Sequence, residues 1–179
     1  MDKEQITSFR EEYFFLSNFY PCKITFRGLT FDNAEAAFQA EKSTDPKVRE
    51  QFVGLSPKEA KRLGRKIKLR PYWNEIRVCA MQEVIKQKFR ENEDLRKLLI
   101  ETADKELIEG NTWNDRFWGV CKGKGKNMLG KILMDARYYF TSPIGVFLES
   151  TRSYFEPDNT IFEKFYYDTY NGGNEDEES

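Results

Sequence analysis

Between Tyr72 and Arg90 the apolar residues fall at Trp73, Ile76, Ala80, Met81, Val84, Ile85 and Phe89. These spacings follow the three-and-four rhythm of a helix with one buried stripe. A stripe of that length must be covered, so the rest of the chain has to supply a complementary surface. Further helices are written around it. Glu93–Thr102 repeats the rhythm with Leu95, Leu98 and Leu99, and a last core helix runs through Met128, Leu129, Ile132, Leu133 and Ala136 to about Phe140. Upstream, Asp32 or Asn33 can cap a helix reaching about Lys42. Asp45-Pro46 sets an N-cap before a first-turn proline in a helix that Gly54 ends. Ser56-Pro57-Lys58-Glu59 is a capping box, and Asn127 stands where it can cap the last core helix.

Strands are short. Ile6–Arg10 is one candidate, and Lys23–Phe26 and Leu29–Phe31 flank a tight hairpin turn at Arg27-Gly28. Glu106–Glu109 is another. Leu16 to Pro21 (LSNFYP) has neither period and reads as an ordered loop. The expected fold is α+β and predominantly helical, a compact single domain over residues 1–140 with short N-terminal strands. Residues 141–170 are an aromatic-rich C-terminal extension, read as a strand or helix packed on the body. Residues 171–179 are an acidic tail, expected to be disordered.

Composition narrows the chemistry. The 179 residues contain no histidine. That excludes Ser–His–Asp and Cys–His catalysis and every His-ligated metal site. Cys22, Cys79 and Cys121 lie far apart without a CxxC spacing, so no structural zinc site or disulfide framework is expected, and a reducing compartment is. The N-terminus has no signal-peptide core and no apolar run approaches a membrane span. The reading is a cytoplasmic protein without a membrane partner or a cofactor. Net charge is −1, but the acidic C-terminal stretch leaves residues 1–140 mildly basic. Such a body attracts phosphorylated small molecules or nucleic acid. Catalysis would rest on carboxylates, lysines, hydroxyls, amides and aromatics.

Two constellations stand out. Glu35, Phe38, Gln39 and Lys42 share one helix face and can line a cleft; equally, Glu35 can be the third residue of an Asp32-x-x-Glu35 capping box. Trp113 to Gly130 (WNDRFWGVCKGKGKNMLG) joins two tryptophans and Asp115 to alternating glycines and lysines before a helix start. Gly123, Gly125 and the amides before Met128 can cradle a phosphate there, with Lys122, Lys124 and Lys126 adding charge. A solvated basic loop is the bland alternative. Trp73 lies on an apolar stripe and reads as core or as a stacking platform. Asn18 can hold a turn through its side chain, and Cys121 reads as a small buried hydrophobe.

These segments, in this order, resemble the NADAR family with its YbiA-like N-glycosidases. The resemblance rests on Leu16-Ser17-Asn18-Phe19, Ala34-Glu35-Ala36-Ala37-Phe38-Gln39-Ala40-x-Lys42 and the Trp73 helix. It continues through Asn114-Asp115-x-Phe117-Trp118-Gly119 and the run from Gly123-Lys124-Gly125-Lys126-Asn127 to Arg137. It implies a compact, mostly helical α+β fold that cleaves N-glycosidic bonds. Its substrates would be phosphorylated ribosylamino-pyrimidine intermediates of riboflavin synthesis or ADP-ribosylated nucleobases, nucleic acid included. By position, the catalytic Glu falls on Glu35, and the functional Trp, Asp and Trp fall on Trp73, Asp115 and Trp118.

With the residue-level reading, the expected catalytic set is Glu35, Asp115 and Lys42. The expected substrate-binding set is Asn18, Gln39, Trp73, Trp118, Gly119, Lys126 and Asn127. Two departures are visible: Ala36 stands where the family often has His after the Glu, and Cys121 replaces the second Gly of Trp-Gly-x-Gly. The competing classes are a non-catalytic ADP-ribose or nucleotide-binding module and a partner-binding protein that uses the C-terminal aromatics. Protein partners stay open.

Overall fold

The structure, a computed structural model, describes residues 4–155, with side chains described up to 151. The expected acidic tail and the extension past residue 155 lie outside the described residues. The long apolar stripe forms α4, Trp73–Glu91, which buries Trp73, Met81, Val84, Ile85 and Phe89. Around it pack α1 (Ala34–Ala40), α5 (Glu93–Glu101), α6 (Met128–Thr141) and the strand β2 (Pro21–Phe26). Two shorter helices, α2 (Pro46–Glu50) and α3 (Pro57–Leu63), lie against α1. The capping box of α3 is formed by Ser56 and Glu59 as its sequence dictates.

The strands form three small pairs rather than one sheet. β2 runs antiparallel to β3 (Leu29–Asn33) around Arg27-Gly28, where both residues take positive φ. β1 is only Gln5–Ile6, because the chain turns into a short 3₁₀ helix at Glu11–Leu16 instead of continuing to Arg10. It pairs in parallel with β4 (Glu106–Leu107), also shorter than expected. β5 (Gly110–Asn111) pairs in parallel with β6 (Val120–Cys121), which lies within the Trp113–Gly130 segment where no strand was expected. From Pro143 the described residues belong to a separate unit and form the helix α7 (Pro143–Phe155). No described helix is long and apolar enough to cross a membrane.

Every residue of α1 is buried, its two polar side chains included. Four alanines in seven residues let neighbouring elements approach closely. The N-cap is Asn33, whose Oδ1 accepts from the Ala36 N–H at 2.8 Å. Asp32 belongs to β3 and pairs with Lys23. The Asp32-x-x-Glu35 capping box is therefore corrected: the cap is one residue later, which leaves Glu35 without a capping role.

Two buried charges tie the frame together. Glu41 is 2% exposed, and its carboxylate meets Arg27 and Arg49 at 3.0 Å and Arg70 at 3.7 Å. It thereby joins the β2–β3 turn, α2 and the approach to α4. Lys88 on α4 is fully buried and donates to the Phe15 and Ser17 carbonyls at 2.7 and 2.8 Å. Burial pushes its pKa down to about 8. Those bonds hold the LSNF segment against α4.

Candidate active site

A cavity of about 780 Å³ opens between α1, the end of α3, the first half of α4, the LSNF loop and the Glu109–Trp118 segment. That volume suits a nucleotide-sized ligand. From α1 and the residues after it come Glu35, Phe38, Gln39 and Lys42, the face expected from their spacing. Asn18, Trp73, Asp115 and Trp118 line the same cavity. The Asn18 carbonyl accepts from the Glu35 N–H at 3.0 Å, so the loop and α1 are joined at the site itself.

Glu35 is 6% exposed and accepts a 2.8 Å hydrogen bond from the Gln39 side-chain amide. Burial raises its pKa, against the pull of Lys61, the Gln39 hydrogen bond and Lys42. Burial conversely lowers the Lys42 pKa, against Glu35 and with the help of Lys61 and Arg65. Lys42 Nζ donates to the Gly64 carbonyl at 3.1 Å. Gly64 leaves room for the Gln39 side chain, since a Cβ there would stand 1.9 Å from Gln39 Oε1. Two buried acceptors, Asn18 Oδ1 and Gln39 Oε1, have no hydrogen-bond partner. Buried polar groups are rarely left so, and a ligand is one way to complete them.

Asp115 organises the loop that carries it. Its Oδ1 accepts from the Phe117 and Trp118 N–H groups at 3.0 and 2.9 Å, and Asn111 brackets its backbone on both sides. Trp73 and Trp118 both contact Phe38, with ring centroids 5.3 and 5.4 Å away. Trp73 is thus a core residue and a cavity wall at once. Phe117 packs edge-on to Trp118, and the Arg77 guanidinium lies 3.8 Å from the Phe117 centroid.

Gly119, Lys126 and Asn127 do not line the cavity. Asn127 precedes α6 with φ 51 and makes no side-chain cap. Its amide turns back instead, donating to the Leu107 carbonyl at 2.8 Å and accepting from the Glu109 N–H at 3.0 Å. The expected helix cap at Asn127 is corrected accordingly. The phosphate cradle before Met128 is corrected as well. The Lys126, Met128 and Leu129 amides already donate to the Arg116, Phe117 and Trp118 carbonyls at 2.8, 3.2 and 2.9 Å. The glycines serve close backbone contact: a Cβ on Gly125 would stand 2.1 Å from the Gly119 carbonyl. Lys126 Nζ lies 5.6 Å from the Phe117 ring centroid.

Sequence reasoning missed five polar residues of the cavity: Arg10, Lys61, Arg65, Arg77 and Glu109. None belongs to a motif. Glu109 is the most perturbed of them. Burial and the Asp115 charge push its pKa up to about 7, against Arg10 and Lys61. Only its place at the end of an expected strand, just before Gly110, hinted at a site position.

The fold and cavity define an α+β domain with a nucleotide-sized polar cavity lined by carboxylates, lysines and aromatic rings. The chain belongs to the NADAR family, whose domain matches residues 5–141. It is 39% identical over 131 residues to the N-glycosidase YbiA of Escherichia coli K12, covering 71% of this chain and 81% of that protein. An N-glycosidase of Nostoc punctiforme is 34% identical over 134 residues, covering 71% and 85%. A riboflavin biosynthesis protein of Vibrio vulnificus is 38% identical over 131 residues, covering 71% of this chain and 35% of that protein. The solution NMR structure of Escherichia coli YbiA superposes with a TM-score of 0.68 at 38% identity, covering 76% of this chain and 84% of the other. The expected α+β fold is thus the fold of a solved relative.

Proposed function

We propose that the chain hydrolyses the N-glycosyl bond between a phosphorylated ribose and a nitrogen base, with Glu35 as the carboxylate beside the reacting carbon. A hydrolase acting on N-glycosyl bonds is the class its N-glycosidase relatives name. The observation that carries Glu35 is its position: a buried carboxylate on a cavity wall, with no cap to form and with Lys42 and Lys61 close enough to act on its ionisation. Cleavage of such a bond passes through a ribosyl cation-like transition state. A fixed carboxylate stabilises that charge and orients the attacking water.

Asp115 would hold ribose hydroxyls, and Trp118 or Trp73 would stack on the base. Asn18 and Gln39 offer acceptors without partners to the sugar or base. Lys42, Lys61 and Arg65 would meet the phosphate, the role first given to the closed α6 start. Of the two candidate substrates, a riboflavin-pathway ribosylamino-pyrimidine phosphate is favoured over ADP-ribosylated guanine, by the name of the Vibrio vulnificus relative. Mass spectrometry of products after incubation with each tests this. Release of the free pyrimidine is expected; release from neither would leave a non-catalytic nucleotide-binding module as the better reading.

One observation favours a second route. Lys42 lines the cavity and its pKa is lowered, which suits an amine that attacks an opened ribose aldehyde to form a Schiff base. Borohydride added during turnover would then trap a covalent adduct on Lys42, and Lys42→Ala would lose activity. Unchanged activity in that variant excludes the route.

A further inference from the structure

We propose that Glu109 is a catalytic residue, the general acid that protonates the departing nitrogen base. This rests on the N-glycosidase reading above. Glu109 reaches the same cavity as Glu35 from a segment far away in the chain, and its Oε2 is buried with no hydrogen-bond partner. The backbone behind that carboxyl is fixed on both sides. Its N–H donates to Asn127 Oδ1 at 3.0 Å, and its carbonyl accepts from the Val120 N–H at 2.8 Å. Gly119 closes the seat, since a Cβ there would stand 2.2 Å from the Glu109 carbonyl and 3.0 Å from its Cγ. Asn127 and Gly119, expected to touch substrate, serve instead to aim Glu109.

The two glutamates sit in different surroundings. Burial and Asp115 raise the Glu35 pKa too, but Glu35 accepts from Gln39 and faces Lys42 and Lys61, groups that favour its anion. Glu109 has no donor on Oε2; it faces Asp115 from its own loop, Lys61 from α3 and Arg10 from the segment after β1. Burial and Asp115 outweigh the two cations, so Glu109 keeps its proton to about pH 7. Two carboxyls whose environments differ in this way divide the acid and base roles. In the reaction, the bond from the ribose carbon to nitrogen breaks with its electron pair going to nitrogen. That nitrogen takes the proton from Glu109. Water adds through oxygen to the ribose carbon and gives its proton to Glu35. Solvent exchange resets both carboxyls.

The test compares wild type with Glu109→Gln on two substrates. The ribosylamino-pyrimidine phosphate has a base that leaves poorly without a proton. Nicotinamide mononucleotide has the same phosphorylated ribose, but its pyridinium leaves as neutral nicotinamide and needs none. On the pyrimidine substrate, kcat is expected to fall by about 100-fold or more, and the alkaline limb of the wild-type profile, set near pH 7, should disappear. Any wild-type cleavage of nicotinamide mononucleotide should survive in the variant within about threefold. A variant that keeps the pyrimidine rate or the alkaline limb overturns the role, as does an equal loss on both substrates. If wild type cleaves neither compound, nor ADP-ribosylated guanine, the N-glycosidase reading fails and takes this role with it. Should the glutamine variant not fold, Glu109→Asp, which keeps the acid but draws it back, is expected to lose kcat on the pyrimidine substrate while sparing nicotinamide mononucleotide, and an equal loss on both overturns the role.

Discussion

Glu35→Gln is expected to lower kcat by about 10³-fold while leaving the melting temperature unchanged or slightly higher. The rate loss follows from the role proposed for the charge. A fixed anion that meets a developing cation in a dry cavity contributes on the order of 3–4 kcal/mol to the transition state. The stability effect has the opposite origin. Burial raises the Glu35 pKa in the folded chain, so between the unfolded value and the folded one the native state holds more protons than the unfolded state. Stability from this group is complete below the unfolded value and is lost as pH rises through the folded one. Glutamine abolishes that loss, keeps the size and still offers Gln39 an acceptor. Since Asn33 caps α1, no helix-end penalty is expected. Steady-state kinetics with thermal melts at pH 5 and pH 8 check both halves. A variant with wild-type kcat would refute the catalytic assignment.

Glu41→Ala is expected to cost about 3–5 kcal/mol of stability, a melting temperature lower by roughly 10 °C. The carboxylate is buried among Arg27, Arg49 and Arg70. Its removal takes the counter-charge from several guanidinium groups in a desolvated place, which is more damaging than losing an exposed pair. Because these arginines come from the β2–β3 turn, α2 and the linker before α4, the loss loosens three elements around α1 together. Urea titration gives the number directly. A change below about 1 kcal/mol would mean that the arginines find water or new acceptors once the carboxylate is gone. Glu41→Gln should fall between, keeping the shape and losing the charge.

The long elements of this fold are legible because they obey local rules. The stripe from Trp73 to Phe89 defines α4, the Ser56–Glu59 box begins α3, and Arg27-Gly28 turns the hairpin. The face shared by Glu35, Phe38, Gln39 and Lys42 is equally local and does line the cavity. Residue order stops being informative wherever an interaction spans the chain. Asp32 and Asn33 are both good caps and both end β3; the choice depended on the Asp32 carboxylate being drawn to Lys23 while Asn33 Oδ1 meets the Ala36 N–H. The Gly–Lys run has the composition of an anion cradle, yet its amides at the α6 start are taken by carbonyls of residues 116–118. Asn127 has the right identity for a cap, yet its amide is claimed by Leu107 and Glu109.

The amino-acid sequence by itself determined that α4 needs a covering layer of helices and that, without histidine, acid–base chemistry must fall to carboxylates and lysine. It also marked one face of α1 as a polar cleft wall. Only the tertiary structure decided which carboxylates are dry. Glu35 is surrounded by residues from α1, α3 and the Asp115 loop, and Glu109 by Arg10, Lys61 and Asp115. Desolvation and neighbouring charge depend on what stands a few ångströms away in space, and residues separated by a hundred positions carry no mark of that proximity in their order along the chain.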